Sequence, residues 1–467
     1  MDIKQLYTNC LSEAAYFIAS DGEAAVIDPL RDVDTYLAMA EEKGVKIKYI
    51  FETHFHADFV SGHIELAAQT GAPIVYGPDT QASFPIHMAK DGEEFMVGKL
   101  KIKAIHTPGH TLESTCYLLH DEAGEPYCIF TGDTLFVGDV GRPDLFSGNL
   151  SKEDLAGMMY DTLTNKIKTL NDNIIVYPAH GPGSSCGKSL GPETHSTIGA
   201  QKAANYALQD MTKPEFIKTV TSGLSTPPVY FPINARINKE GYESLDSVFE
   251  KGMQALSIAD FKAKVKDGAW ILDTRPSTVF TQGFVPESIS VGLDGRFAEF
   301  AGTILPFTQP LVLVTEPGME KESITRLARV GLDNVQGYLD GGYDAWANAG
   351  ETIDLIIDIE ADELAMDIPH DNMLEIIDVR KVSEFEAAHV KGAVNMPLDT
   401  LTDPLNIAML DDANNMYVHC AGGYRSVIAA SLLKRQGFHN LRNVLGGFGK
   451  IKAEKRITVV SGDTVKA

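Results

Sequence analysis

Thr53-His54-Phe55-His56-Ala57-Asp58-Phe59 carries two histidines and an acid in alternation. Before it, Val45-Lys46-Ile47-Lys48-Tyr49-Ile50-Phe51 predicts a buried strand; after it, Val60-Ser61-Gly62-His63-Ile64-Glu65-Leu66-Ala67 predicts the opening of a helix. Alternation at a strand's end puts His54 and His56 on the same side of a loop, where two imidazoles can face one ion. With 13 histidines in the chain, that spacing alone is a weak sign. Its company further along decides the reading.

Outward from this stretch, short β-rich runs alternate with polar turns. Ala24-Ala25-Val26-Ile27-Asp28-Pro29 predicts a strand stopped by Asp-Pro, and a helix near 32–43 ends at Gly44. Strands are predicted at Pro73-Ile74-Val75-Tyr76, Leu100-Lys101-Ile102-Lys103-Ala104-Ile105, Tyr117-Leu118-Leu119, Tyr127-Cys128-Ile129-Phe130 and Asn173-Ile174-Ile175-Val176-Tyr177. Three of them run into His106-Thr107-Pro108-Gly109-His110-Thr111, Thr131-Gly132-Asp133-Thr134 and Pro178-Ala179-His180-Gly181. A strand whose C-terminal loop carries a His or Asp thus recurs, which is how packed sheets assemble a metal site along one rim.

H-x-H-x-D, T-P-G-H-T, T-G-D-T-L-F and P-A-H-G, in this order, resemble the motif series of the metallo-β-lactamase fold. The run Gly132-Asp133-Thr134-Leu135-Phe136-Val137-Gly138-Asp139-Val140-Gly141-Arg142-Pro143-Asp144-Leu145 resembles its persulfide dioxygenase branch. The resemblance reaches to about residue 240, through Thr226-Pro227-Pro228-Val229-Tyr230-Phe231-Pro232. It implies that His54, His110 and Asp133 hold a single Fe(II) per chain, two histidines and a carboxylate with open positions. His56, Asp58 and His180 are then expected to orient those ligands or contact substrate. Arg142 is expected to meet an anionic persulfide carrier or to form a structural salt bridge. His63, His106 and His195 match no ligand position. Dinuclear hydrolases of this fold use H-x-H-x-D-H, whose last two residues hold a second zinc. Here the final position is Phe59, which cannot ligate.

Residues 235–260 are expected to form a helical linker. Beyond it the chain repeats: Ile271-Leu272-Asp273-Thr274-Arg275 returns as Ile376-Ile377-Asp378-Val379-Arg380, Phe280 as Phe385, and Leu339-Asp340-Gly341-Gly342 as Val444-Leu445-Gly446-Gly447. The common offset of 105 marks a duplicated unit of about a hundred residues. Each copy alternates strands and helices and predicts a small α/β domain with a parallel sheet. Asp273-Arg275 and Asp378-Arg380 are expected to be fold-supporting ion pairs, since both copies carry them.

In the second copy, Met416-Tyr417-Val418-His419 predicts a strand ending at Cys420, with Ala421-Gly422-Gly423-Tyr424-Arg425-Ser426 and a helix from Val427 to Arg435 behind it. A Cys on a Gly-rich loop between strand and helix resembles the rhodanese active-site loop. There, loop N–H groups and the helix N-terminus hold a sulfane sulfur or an anionic leaving group. Cys420 and Arg425 are the expected catalytic pair, and Ala421, Gly422, Gly423, Tyr424 and Ser426 the cradle. The first copy has Thr315 and Glu320 at these positions and is expected to be catalytically silent. Cys116 and Cys128 are expected in the core, and Cys186 on a flexible loop after His180.

The fold expected is thus α/β: a metallo-β-lactamase αββα sandwich (1–245) followed by two rhodanese-like domains with parallel sheets (255–352 and 358–460). The whole resembles bacterial persulfide dioxygenase–sulfurtransferase fusions. This implies O2-dependent oxidation of a low-molecular-weight thiol persulfide, of glutathione, coenzyme A or a similar thiol, to sulfite. Sulfane-sulfur transfer through Cys420, forming or using thiosulfate, would accompany it in sulfide detoxification. One rival is a zinc-dependent, glyoxalase II-like thioester hydrolase with zinc at the same ligands; Phe59 and the rhodanese-like repeat tell against it. Another makes the C-terminal half a docking or sulfur-binding module without turnover.

At 467 residues the length fits about three domains. A net charge of -24 argues against nucleic acid or an anionic membrane as partner. No apolar run suits a membrane span or a signal peptide. Five scattered cysteines suit reduced thiols. A cytoplasmic homo-oligomer is expected.

Overall fold

A computed structural model describes residues 1–145 and 150–462. Two compact units divide the described residues: Met1–Ser247 with Leu327–Leu332, and Val248–Arg326 with the described residues from Asp333 on.

The first unit is built on two six-stranded sheets. One runs in the order Asp2–Thr8, Glu13–Ser20, Glu23–Ile27, Lys46–Phe51, Ile74–Tyr76 and His87–Met88; the other runs Ser196–Thr197, Ile175–Pro178, Pro126–Gly132, Thr115–His120, Leu100–His106 and Glu94–Val97. Their facing sides share one core that includes Tyr16, Phe51, Phe95, Tyr117 and Phe130. Apolar residues on the outer faces are covered as well. Val33, Tyr36 and Ala40 of one helical region lie with Phe17, Val26 and Ile50, while Leu155 and Met159 lie in helix Lys152–Thr162, Met159 packing in the cluster of Leu118, Ile129 and Val176. Strands buried on both faces read as continuous apolar runs, and Glu13–Ser20 is buried throughout. The result is the expected four-layer sandwich. Helices Asp34–Lys43 and His63–Thr70 stop where Gly44 and Gly71 adopt left-handed backbone, as helix C-caps require.

The second unit holds two five-stranded parallel sheets. The first runs Ala255–Leu256, Val335–Leu339, Leu311–Val314, Trp270–Asp273, Ile289–Ser290; the second runs Ile357–Ile359, Leu441–Val444, Asn415–His419, Leu374–Asp378, Val394–Asn395. The matching order makes the 105-residue repeat a structural one. Residues 235–260 do not form a plain helical linker. Helix Phe231–Glu240 ends there, helix Leu245–Gly252 follows, and Ala255–Leu256 is already an edge strand of the first repeat. No helix among the described residues is long and apolar enough to cross a membrane.

Candidate metal centre and sulfur cradle

Four loops at strand ends converge in the first unit. His54 follows Lys46–Phe51, His110 follows Leu100–His106, Asp133 follows Pro126–Gly132, and His180 follows Ile175–Pro178. Ligand atoms of His54, His110 and Asp133 lie within 4.8 Å of one another, and all three residues are buried. Asp133 Oδ2 is 3.8 Å from His54 Nε2 and 3.4 Å from His110 Nε2. Ligands about 2.1 Å from one cation stand roughly 3.0–3.4 Å apart, so the group is close to closing on an ion.

The outer atoms fix the tautomers. Thr53 donates its hydroxyl to Asp28 at 2.8 Å and therefore accepts from His54 Nδ1 at 3.0 Å. His110 Nδ1 donates to the Arg142 carbonyl at 2.8 Å. Both Nε2 lone pairs are thereby left for the triad, as in metal sites whose histidines donate their other N–H outward. Asp133 Oδ2, buried without a hydrogen-bond partner, faces the same point. An orphaned buried carboxylate oxygen is costly unless a cation meets it. The donor set therefore fits a metal ion.

His180 sits between Asp133 Oδ1 and Asp58 Oδ2, 2.8 Å from each. Burial opposes its charge, but the two carboxylates outweigh burial and raise its pKa well above the usual imidazole value. Burial likewise pushes Asp133 upward, yet His180, His54 and His110 together hold its carboxyl below the usual range. Burial, then the neighbouring His56, depresses His54 and keeps it neutral, as a ligand must be. Gly141 is required here: a Cβ would stand 2.1 Å from the Asp133 carbonyl and 2.9 Å from His110 Nδ1.

His56 does not complete the triad, although alternation places it beside His54. The rings are 4.2 Å apart. Its Nε2 lies 3.1 Å from Asp28 Oδ1 and 3.5 Å from Glu52 Oε2, and Phe59 packs on its ring at 4.3 Å. Asn238 ties the loop together, donating to the carbonyls of His56 and Phe59 and accepting from the Ser61 N–H. Glu52 also receives Ser61 Oγ and lies 3.3 Å from His63 Nδ1. Glu52 and Asn238 carry no local sign in the sequence, and Asp28 shows there only as a strand stop. Asp28 carried a usable sign, an acid at a strand's end like Asp133.

Arg142 is buried. It forms a bidentate pair with Asp144 at 2.7 and 2.9 Å and donates to the carbonyls of Ser185 and Ser225. It thus takes the structural of its two expected roles, and touches the triad through its own carbonyl. Cys186 is buried, against the expectation of a flexible loop, and its sulfur groups with Asp58 and His180. The Asp139 carboxylate, accepting from the Lys188 and Ser189 N–H groups, holds that loop. Burial, then the Asp58 and Asp133 charges, pushes the Cys186 thiol well up, so it is neutral.

In the second unit, Cys420 directly follows strand Asn415–His419 and is 2% exposed. The Gly423 N–H donates to its Sγ at 3.1 Å, from a backbone φ of 111° that favours glycine. Ala421 and Gly422 form the exposed mouth of the loop. Arg425 makes two hydrogen bonds to Glu384, at 2.7 and 2.9 Å. Ser426 Oγ lies 2.7 Å from Asn443 Oδ1 and 2.9 Å from the Gly423 carbonyl. Tyr424 opens helix Tyr424–Arg435. The pairs Asp273–Arg275 and Asp378–Arg380 form inside their repeats at 2.6 and 2.5 Å.

Residues 8–180 match the Metallo-beta-lactamase superfamily, and residues 257–349 and 360–454 each match the Rhodanese-like domain. A metallo-beta-lactamase structure from Staphylococcus aureus subsp. aureus COL is 32% identical, covers 73% of this chain and 98% of its own, and superposes with a TM-score of 0.65. The structure of ETHE1 from Myxococcus xanthus is 31% identical over 51% of this chain and 100% of its own, with a TM-score of 0.43. The hydroxyacylglutathione hydrolase of Salmonella dublin is 38% identical over 161 residues, 34% of this chain and 58% of that protein. The chain spans about six-tenths of the length of the curated relatives it matches. The chain belongs to the metallo-beta-lactamase superfamily, and two rhodanese-like domains follow its metallo-beta-lactamase fold.

Proposed function

We propose that this chain is a persulfide dioxygenase with an attached sulfurtransferase, which oxidises a low-molecular-weight thiol persulfide with O2. The observation that carries the reading is the triad His54–His110–Asp133 with Phe59 standing where a dinuclear site needs its last histidine. Phe59 packs its ring on His56, and Asp58, the other second-zinc position, is engaged through Oδ2 by His180. One ion with open positions, rather than a zinc pair, suits this arrangement. Fe(II) held there would supply the redox activation of O2.

The overall reaction is R–S–SH + O2 + H2O → R–SH + SO3²⁻ + 2 H⁺. His54 and His110 present Nε2 lone pairs, Asp133 supplies one negative charge, and buried walls exclude water. Transfer then proceeds at Cys420. Its thiolate attacks the outer sulfur of R–S–SH, the S–S bond breaks, R–SH leaves with the proton, and Cys–S–S⁻ forms. Sulfite attacks that outer sulfur, the thiolate returns, and S2O3²⁻ leaves. The Gly423 N–H, 3.1 Å from Sγ, stabilises the anionic sulfur in both steps.

The names of the curated relatives, hydroxyacylglutathione hydrolases, favour a second reading, hydrolysis of a glutathione thioester; zinc would then sit at the same ligands, with the rhodanese-like repeats as a sulfur-binding module. The two readings diverge in Cys420→Ser. Under the proposal, wild-type protein given persulfide forms thiosulfate, and the variant accumulates sulfite while oxygen uptake continues. Oxygen-independent release of thiol from a glutathione thioester would replace the proposal with the hydrolase.

A further inference from the structure

The sulfur cradle is held from two sides, and one of them is the repeat that lacks a thiol. From its own repeat, the Phe448 N–H donates to the Cys420 carbonyl at 2.7 Å and the Gly449 N–H to the Ala421 carbonyl at 3.2 Å. These bonds fix the base of the loop. Its far end is fixed by Tyr424, whose hydroxyl donates to the Gly292 carbonyl at 2.5 Å.

Gly292-Leu293-Asp294-Gly295 belongs to the first repeat. It is stitched to the end of strand Trp270–Asp273 through Val291 N–H to the Asp273 carbonyl and Leu293 N–H to the Thr274 carbonyl. Arg326 adds a bond to the Leu293 carbonyl at 2.8 Å. The segment is therefore a rigid anchor. It is shaped for the tyrosine: a Cβ on Gly295 would stand 2.5 Å from the Tyr424 ring, and Phe300 flanks that ring at 5.6 Å. The helix that Tyr424 opens continues the contact, with Ser431 Oγ accepting the Ser290 N–H and Arg435 over Trp270.

We infer that Tyr424 is a positioning residue through which the silent repeat sets the geometry of the sulfur cradle. Gly423, the residue before it, supplies the N–H on Sγ, and Arg425, the residue after it, is paired with Glu384. Glycine at 423 leaves the backbone free to swing, so Tyr424 decides where that N–H points. The first repeat carries Met319 at the position equivalent to Tyr424. It carries the anchor, and its own loop has Thr315 in place of a thiol.

The inference rests on the sulfurtransferase reading of Cys420, and the test separates the two. Initial rates of sulfane-sulfur transfer from thiosulfate to an added thiol are measured on the full chain for Tyr424→Phe, Gly295→Ala and Cys420→Ser. Thermal melting and the alkylation rate of Cys420, read by mass spectrometry, accompany them. Tyr424→Phe keeps the ring and removes one hydrogen bond, for which kcat/KM falls about tenfold while the chain stays fully folded at the assay temperature. Gly295→Ala, in the other repeat, reproduces the loss, and both variants change the Cys420 alkylation rate. Wild-type kcat/KM in Tyr424→Phe overturns the inference whatever Gly295→Ala does, and so does a loss matched by loss of folded protein. Wild-type transfer in Cys420→Ser overturns the sulfurtransferase reading itself.

Discussion

His180 lies 2.8 Å from Asp133 through Nδ1, and this contact turns the other oxygen of Asp133 toward His54 and His110. Because Asp58 holds Nε2 of the same ring, His180 cannot turn to offer a lone pair. It holds the Asp133 carboxylate in place. His180→Ala leaves Asp133 free to rotate, and the expected result is a 10- to 100-fold loss of metal affinity. Metal retained per chain against a graded chelator series measures it. Unchanged retention would show that Asp133 needs no such support.

The two histidines of the opening motif part company in the fold. His110→Ala is expected to lose the metal and oxygen uptake together. His56→Gln is expected to keep about one metal per chain, because its ring faces Asp28 and Glu52. Metal analysis of both variants after identical purification distinguishes them. Equal metal loss would mean that His56 belongs to the coordination sphere.

His63 is buried among Glu52, Phe84 and Tyr242, and burial, then the nearby His56, pushes its pKa down to about 3. The unfolded chain takes up a proton near pH 6.5, while the folded chain does not until far lower. Stability is therefore lost as pH falls below 6.5, at about 1.4 kcal/mol per pH unit from this group. His63→Phe removes that proton. Between pH 6.5 and 5 the variant should lose about 2 kcal/mol less than wild type in denaturant unfolding. Parallel pH profiles would contradict this.

Much of the candidate site was legible because strand-end loops announce themselves locally. A strand pattern followed by His or Asp marks His54, His110, Asp133 and His180 in the sequence alone. The destination of His56 was not legible, since Asp28 and Glu52 draw it away through packing between separate strands. Asn238, which bolts the motif loop, comes from helix Phe231–Glu240, far along the chain. The burial of Cys186 depends on Asp139, whose bonds to the Lys188 and Ser189 N–H groups no local pattern encodes. In the second unit the 105-residue offset exposed the duplication. Tyr424 read only as a loop residue, because its partner Gly292 lies in the other repeat.

On the persulfide dioxygenase reading, the His54–His110–Asp133 site works on a persulfide with oxygen. Oxygen consumption by anaerobically purified, metal-analysed protein given a thiol persulfide, with sulfite and thiosulfate quantified, tests it most directly. The expected outcome is iron near one per chain, with oxygen uptake matching the sulfur oxidised. Zinc at the site, no oxygen uptake, and thiol release from a glutathione thioester would contradict it.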